Sequence, residues 1–186
     1  MARLVEIRRA GITAATVSRL ERDGAVRRLG RGLYQLPDAN LDSNHTLAEA
    51  AKRVPRGVVC LISALAFHGV TDQLPSQIWI AIGRKDWKPR VEYPPLRIVR
   101  LADGFLREGI ETHRIEGVAV PIFGVAKTIC DVFRHRNSIG INVAVQGLKE
   151  VLRQRKATPS EISAYAIRGG VWSTLRPYLE ALTADS

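Results

Sequence analysis

Residues 12–38, ITAATVSRLERDGAVRRLGRGLYQLPD, decide how the first part of the chain folds. Thr13 supplies a capping hydroxyl, and the helix it opens runs to about Asp23 and stops at Gly24. Val17 and Leu20 point to one side of that helix and must pack inward, while Ala15, Ser18, Arg19 and Arg22, at i, i+3, i+4 and i+7, form the opposite face. Two short strands follow, at 26–29 and 33–36, joined by Gly30-Arg31-Gly32, a tight hairpin tip with glycine on both sides of one arginine. Ahead of this block, Leu4, Val5 and Ile7 mark a short helix ended by Gly11.

Helix, turn, helix and a two-stranded ribbon make the winged form of the helix-turn-helix, whose second helix enters a major groove of DNA. The outward face suits that task. Arginine forks onto O6 and N7 of guanine, so Arg19 and Arg22 are expected at base edges, with Ser18 and the small Ala15 allowing close approach. Thr13 is expected at a phosphate, and Arg27, Arg28 and Arg31 on the wing, with Arg31 at the tip entering a minor groove or clamping phosphates. Residues 1–36 hold eight arginines against Glu6, Glu21 and Asp23, a net +5 out of +10 for all 186 residues. A chain of pI about 10.3 calls for an anionic partner, nucleic acid before a membrane surface.

The composition, 46% hydrophobic and 25% charged, is globular. Cys60 and Cys130 each lie in an apolar run and read as small buried hydrophobes in a reducing compartment. No apolar stretch approaches a membrane span, and MARLVEIRRAG is not a signal peptide, so no membrane partner and a cytoplasmic location are expected. His45, His68, His113 and His135 are dispersed without metal-ligand spacing; neither a metal nor a cofactor is expected, and His68 reads as a hydrogen-bonded core histidine. Ser63 lacks a nucleophile elbow, and phosphate-cradling glycine motifs are absent. One enzyme-like trace remains. Asp72, an apolar strand and then Asp86-Trp87-Lys88 resemble the carboxylates and lysine of a metal-dependent nuclease, although Asp86 falls beyond the expected strand end. The chain is therefore expected not to be an enzyme.

Residues 37–43, PDANLDS, are polar and turn-rich, and read as a linker between domains at 1–37 and 44–186. In the second domain, helices are expected at 45–53 and 60–68, a buried strand at 78–82, a basic loop at 83–95, a strand at 96–101 and a hairpin of 110–115 with 118–120. After Pro121 the apolar spacing turns helical, with Ile122, Val125, Ala126, Ile129 and Phe133 on one face and a second such face over residues 141–152. Thr158-Pro159-Ser160-Glu161 is a capping box that opens a helix broken by Gly169-Gly170, and a last helix runs from 171 to about 182. The fold class is α+β, with a helical C-terminal half.

The segment at 12–38, above all Arg-x-Gly-Arg-Gly-Leu-Tyr at 28–34, resembles the winged-helix domain of the AbiE-type antitoxins. VVCLISALAFHGV at 58–70, IWIAI at 78–82 and VPIFGVAKTICDVFRH at 120–135 look like later segments of that family. The resemblance implies an antitoxin of a type IV toxin–antitoxin system. Such a protein represses its own operon on double-stranded promoter DNA and opposes a nucleotidyltransferase-like toxin without a tight complex. Members usually carry one more helix ahead of Arg3, so the winged helix reads as truncated, or else the second domain supplies the missing packing. The antitoxin surface is expected on cations of the second domain: Arg84, Lys85, Lys88 and Arg90 in the basic loop, and Lys127, Arg134, Arg136, Lys149 and Arg153 within 127–156, a stretch of net +5. Trp87 in that loop is read either as a base-stacking residue or as a lid on the core. The other readings are a stand-alone winged-helix regulator and the nuclease.

Overall fold

The computed structural model describes residues 1–37 and 42–184, in a mixed α+β architecture with two sheets. Most of the expected linker, 38–41, lies outside the described residues.

The N-terminal unit runs β1 (Ala2–Arg3), α1 (Leu4–Arg9), α2 (Ala14–Arg22), β2 (Arg27–Gly30) and β3 (Leu33–Gln35). The sequence pattern does not predict β1, which adds to the far side of the hairpin and gives the antiparallel order β1-β3-β2. Two residues are too short to show any alternation, so only pairing with Leu33 and Tyr34 reveals this strand. Val17, Leu33 and Tyr34 are buried here but join neither core cluster of the remaining chain.

The rest is built on five strands: β4 (Val58–Val59), β5 (Ile78–Gly83), β6 (Leu96–Leu101), β7 (Ile110–Ile115) and β8 (Val118–Phe123), in the order β6-β5-β4-β8-β7. β5 with β6 and β4 with β8 run parallel, and the other two pairings are antiparallel. The apolar run at 78–82 has a simple cause. Ile78, Ile80 and Ile82 face α3 (His45–Arg53), while Trp79 and Ala81 face the helices on the other side, so both faces are buried. Those helices are α4 (Leu61–Phe67), α6 (Val125–Arg134), α8 (Ile141–Arg153), α9 (Pro159–Arg168) and α10 (Trp172–Ala184). Two short helices, α5 (Asp103–Arg107) and α7 (Arg136–Ile139), complete the chain, and the sequence spacing predicts neither.

The start of the helical half needs correction. Ile122 belongs to β8, which continues through Pro121 to Phe123 before α6 begins. Pairing decides this: Pro121 sits opposite Thr112, and Ile122 sits between Glu111 and Val59. The expected capping box does form, with Thr158 Oγ1 accepting from Glu161 N at 3.2 Å and the Glu161 carboxylate accepting from Thr158 N at 2.8 Å. The bonds that the carboxylate accepts from the Thr158 backbone N–H and hydroxyl hold the Glu161 carboxyl below its ordinary range.

Among the described residues, contacts from Met1, Glu6 and Leu29 join the N-terminal unit to α3 and the sheet. Met1 packs against the cluster under α3. Lys52 Nζ donates to Glu6 at 2.7 Å. Arg53 donates to the Leu29 carbonyl at 2.9 Å while paired with the buried Glu49. Glu6 is pushed up by partial burial, but the Arg3 backbone N–H and the Lys52 ammonium outweigh this and lower its pKa.

His68 is half-buried and its Nε2 lies 2.8 Å from the Phe123 carbonyl, which can only accept, so Nε2 carries the proton. Burial lowers its pKa below the ordinary 6.5 despite that bond. The unfolded chain thus binds more protons than the folded one as pH falls through 6.5, and stability must drop there. The expected result is a melting temperature that declines on acidification below about pH 6.5 and declines less in His68→Gln; identical pH profiles in calorimetry would refute the assignment.

Candidate nucleic-acid interface

Thr13 opens α2 as its cap, its hydroxyl accepting from Thr16 N at 3.2 Å and lying 2.9 Å from Thr16 Oγ1. Val17 is buried and Leu20 half-buried, which turns the other face outward. Thr13, Ala15, Ser18, Arg19 and Arg22 are all exposed, and so are Arg27, Arg28 and Arg31 on the hairpin. All eight residues are thus at the surface, four of them on the outward face that the helical wheel gives α2. Within the described residues none of the five arginines pairs with a carboxylate, so their charge is free to act outward. Arg28 Nε donates to the Gly30 carbonyl at 3.2 Å, which holds that side chain along the hairpin tip.

Glycine at 30 has a reason beyond the turn. A Cβ there would meet the Arg53 guanidinium at 2.6 Å, so a larger residue would push that side chain off the hairpin tip. Gly32, at φ +68, provides the left-handed step back into β3.

Arg8 and Arg9, counted in the charge but not singled out by the pattern, belong with this surface. They line, with Arg3 and Arg31, a cleft of about 540 Å³ between α1 and the hairpin tip, and among the described residues no acidic one lines it. The arginine pair at 8–9 is the signal the sequence offers; only the closure of the hairpin against α1 brings Arg31 beside it.

The second set of cations divides. Arg84, Lys85, Lys88, Arg90 and Lys149 are exposed. Lys127 is not a surface residue: it is 3% exposed, pairs with Asp131 one helical turn on, and stands over the Phe123 ring at 4.6 Å. Helical spacing puts it in the basic stretch, but α6 is covered on nearly every side by the sheet and by α4, α8 and α9. Arg134 and Arg136 are half-buried and have structural roles. Arg134 donates to the Gly169 carbonyl and stacks on Phe105 at 4.3 Å, and Arg136 donates to the Phe133 carbonyl at 3.2 Å. Arg153 is exposed but paired with Glu150, and its guanidinium and the Gln154 amide lower the Glu150 carboxyl to about 2. The basic surface of 127–156 is therefore much weaker than its +5 suggests.

Both cysteines are free and buried, as their apolar runs suggest. Burial, with the Asp131 carboxylate nearby, pushes the Cys130 thiol up to about 12 and also raises Cys60 well above its ordinary value. Neither is a nucleophile at neutral pH.

The nuclease trace does not assemble. Asp72 precedes β5 and Asp86 follows it, with six strand residues, roughly 20 Å, between them. The Asp86 carboxylate accepts from Gly83 N at 2.9 Å and caps its own turn. Among the described residues there is no group of three or more His, Cys, Asp or Glu able to hold a metal ion. No helix among them is long and apolar enough to cross a membrane.

Residues 1–37 match the model of a family described as transcriptional regulator, AbiEi antitoxin. A search of curated proteins returns no match to the chain.

Proposed function

We propose that this chain is the antitoxin of a type IV toxin–antitoxin system and represses its own operon, in the cytoplasm, by binding promoter DNA through its N-terminal unit. The observation that carries the reading is the match of residues 1–37 to an antitoxin regulator family, over the same segment that exposes Thr13, Ala15, Ser18, Arg19, Arg22, Arg27, Arg28 and Arg31. In this reading the unit is a winged helix-turn-helix. Helix α2 lies in the major groove with Arg19 and Arg22 at base edges, and the hairpin is the wing, with Arg8 and Arg9 joining Arg31 on the phosphates. The chain from residue 44 onward opposes a nucleotidyltransferase-like toxin without forming a tight complex with it, and the exposed cations Arg84, Lys85, Lys88, Arg90 and Lys149 are the surface for that activity.

Competition binding on the chain's own promoter tests the DNA reading. Arg19→Ala should relax sequence preference by about 1–3 kcal/mol at the contacted base pair, while Arg28→Ala should weaken promoter and random DNA alike. The reverse pattern would mean that α2 docks elsewhere. Co-expression with the adjacent gene tests the antitoxin reading in the full-length protein. The pair Arg19→Ala and Arg22→Ala should abolish repression of a promoter reporter yet still rescue growth. Loss of repression by the pair, with the unsubstituted chain giving no rescue, would leave a plain regulator.

A further inference from the structure

Trp87 is 96% exposed, so it is no lid on the core. It stands on a rigid support. The Asp86 carboxylate accepts from Gly83 N, and one Arg100 nitrogen gathers the carbonyls of Gly83, Arg84 and Asp86 at 3.3, 2.7 and 2.8 Å. The turn is thereby fixed with its large aromatic ring held in water, and binding there loses little loop entropy. Beneath Trp87 lies a groove of about 460 Å³ whose floor is Val54, Pro55, Ile82 and Pro89. Its rim is cationic. Arg56, 87% exposed, and Lys85 line it, exposed Lys88 and Arg90 follow in the same loop, and among the described lining residues the one carboxylate is Asp86, at a loose 3.8 Å from Arg56. An apolar slot, a flat ring at its lip and cations around it match an unpaired base with its phosphates. A base pair inside a duplex presents neither of its π-faces to such a ring.

We propose that this groove binds single-stranded nucleic acid, with one base stacked on Trp87 and the adjoining phosphates held by Arg56, Lys85 and Lys88. The proposal names a ligand for the loop that the antitoxin reading uses, and it does not depend on whether α2 reads duplex DNA.

The experiment is a fluorescence titration of the full chain with an oligodeoxyadenylate of about 12 nucleotides, within the span one such site covers, beside a duplex of equal length and polyglutamate. Trp79 is buried and Trp172 half-buried, so the water-exposed emission that acrylamide quenches reports Trp87. Saturating single strand should shield that emission. Followed by the anisotropy of an end-labelled oligonucleotide, because these variants lack the Trp87 reporter, Trp87→Ala should weaken single-strand binding about tenfold or more, and Trp87→Phe should keep most of it. Lys85→Ala with Lys88→Ala should flatten the log–log salt dependence by roughly 0.7 for each phosphate no longer neutralised. Arg19→Ala should leave single-strand binding unchanged, which separates this site from the duplex reading. The proposal is overturned if Trp87→Ala binds the oligonucleotide as well as the parent does, or if the emission stays accessible at saturation. Equal competition by the duplex, or by polyglutamate, also overturns it, because the loop is then a duplex-binding element or a surface without preference for bases.

Discussion

Asp131→Ala lowers the stability of the chain by about 3–5 kcal/mol, the loss that follows when one partner of a buried ion pair is removed and the other stays charged. Lys127 and Asp131 are each 4% exposed at the side chain and sit within α6 among Phe123, Phe105 and the buried cysteines. Without the carboxylate, the ammonium is left beside the Phe123 and Phe105 rings with little water. For a domain of this size the loss corresponds to a melting point lower by roughly 6–20 °C. The informative comparison is the double variant. Adding Lys127→Met to Asp131→Ala removes the stranded charge and should recover most of the loss, a strongly non-additive cycle. If calorimetry instead finds the two losses adding, Asp131 contributes by packing and not by pairing.

Promoter binding should weaken by roughly 500-fold between about 50 and 200 mM salt, which takes five neutralised phosphates and a log–log slope of about −0.9 for each. The five cations are Arg8, Arg9, Arg27, Arg28 and Arg31, all exposed on α1 and the hairpin. None of them has a carboxylate partner among the described residues, so none must break an internal ion pair before meeting DNA. Arg8→Ala with Arg9→Ala should cut the slope by about two units and leave sequence preference intact. A mobility-shift titration that changes less than about tenfold over this salt range would exclude a phosphate-dominated interface and, with it, the wing placement proposed for Arg31.

Local spacing in the sequence determined a good deal. The helix at 14–22 follows from the Thr13 cap and the apolar pair Val17 and Leu20, because a helix keeps residues three and four apart on one face. The hairpin follows from glycines that permit a tight return, and α9 follows from its capping box, a bond pattern closed within four residues. Exposure of Arg19 and Arg22 was legible for the same reason: a nine-residue helix with one apolar side has only one way to turn its arginines. The two-faced burial of β5 was legible from its unbroken apolar run.

Only the tertiary structure decided which charges remain on the surface. Lys127 and Lys149 look alike in sequence, yet one is sealed inside by helices that arrive from residues 141–184 and the other is open to water. Arg53 closes α3 like any terminal cation, but its reach to the Leu29 carbonyl depends on a hairpin 24 residues away. β1 and β4 are two residues long, too short for any period, and exist only because a partner strand supplies their hydrogen bonds. Trp87 is the same kind of case: its neighbours in sequence allow either a core lid or a solvent-facing ring. The Arg100 guanidinium, arriving from the parallel strand β6, fixes the turn that leaves the ring in water. Spacing along the chain encodes what bonds within a few residues; burial of a charge depends on segments that meet only when the chain has closed.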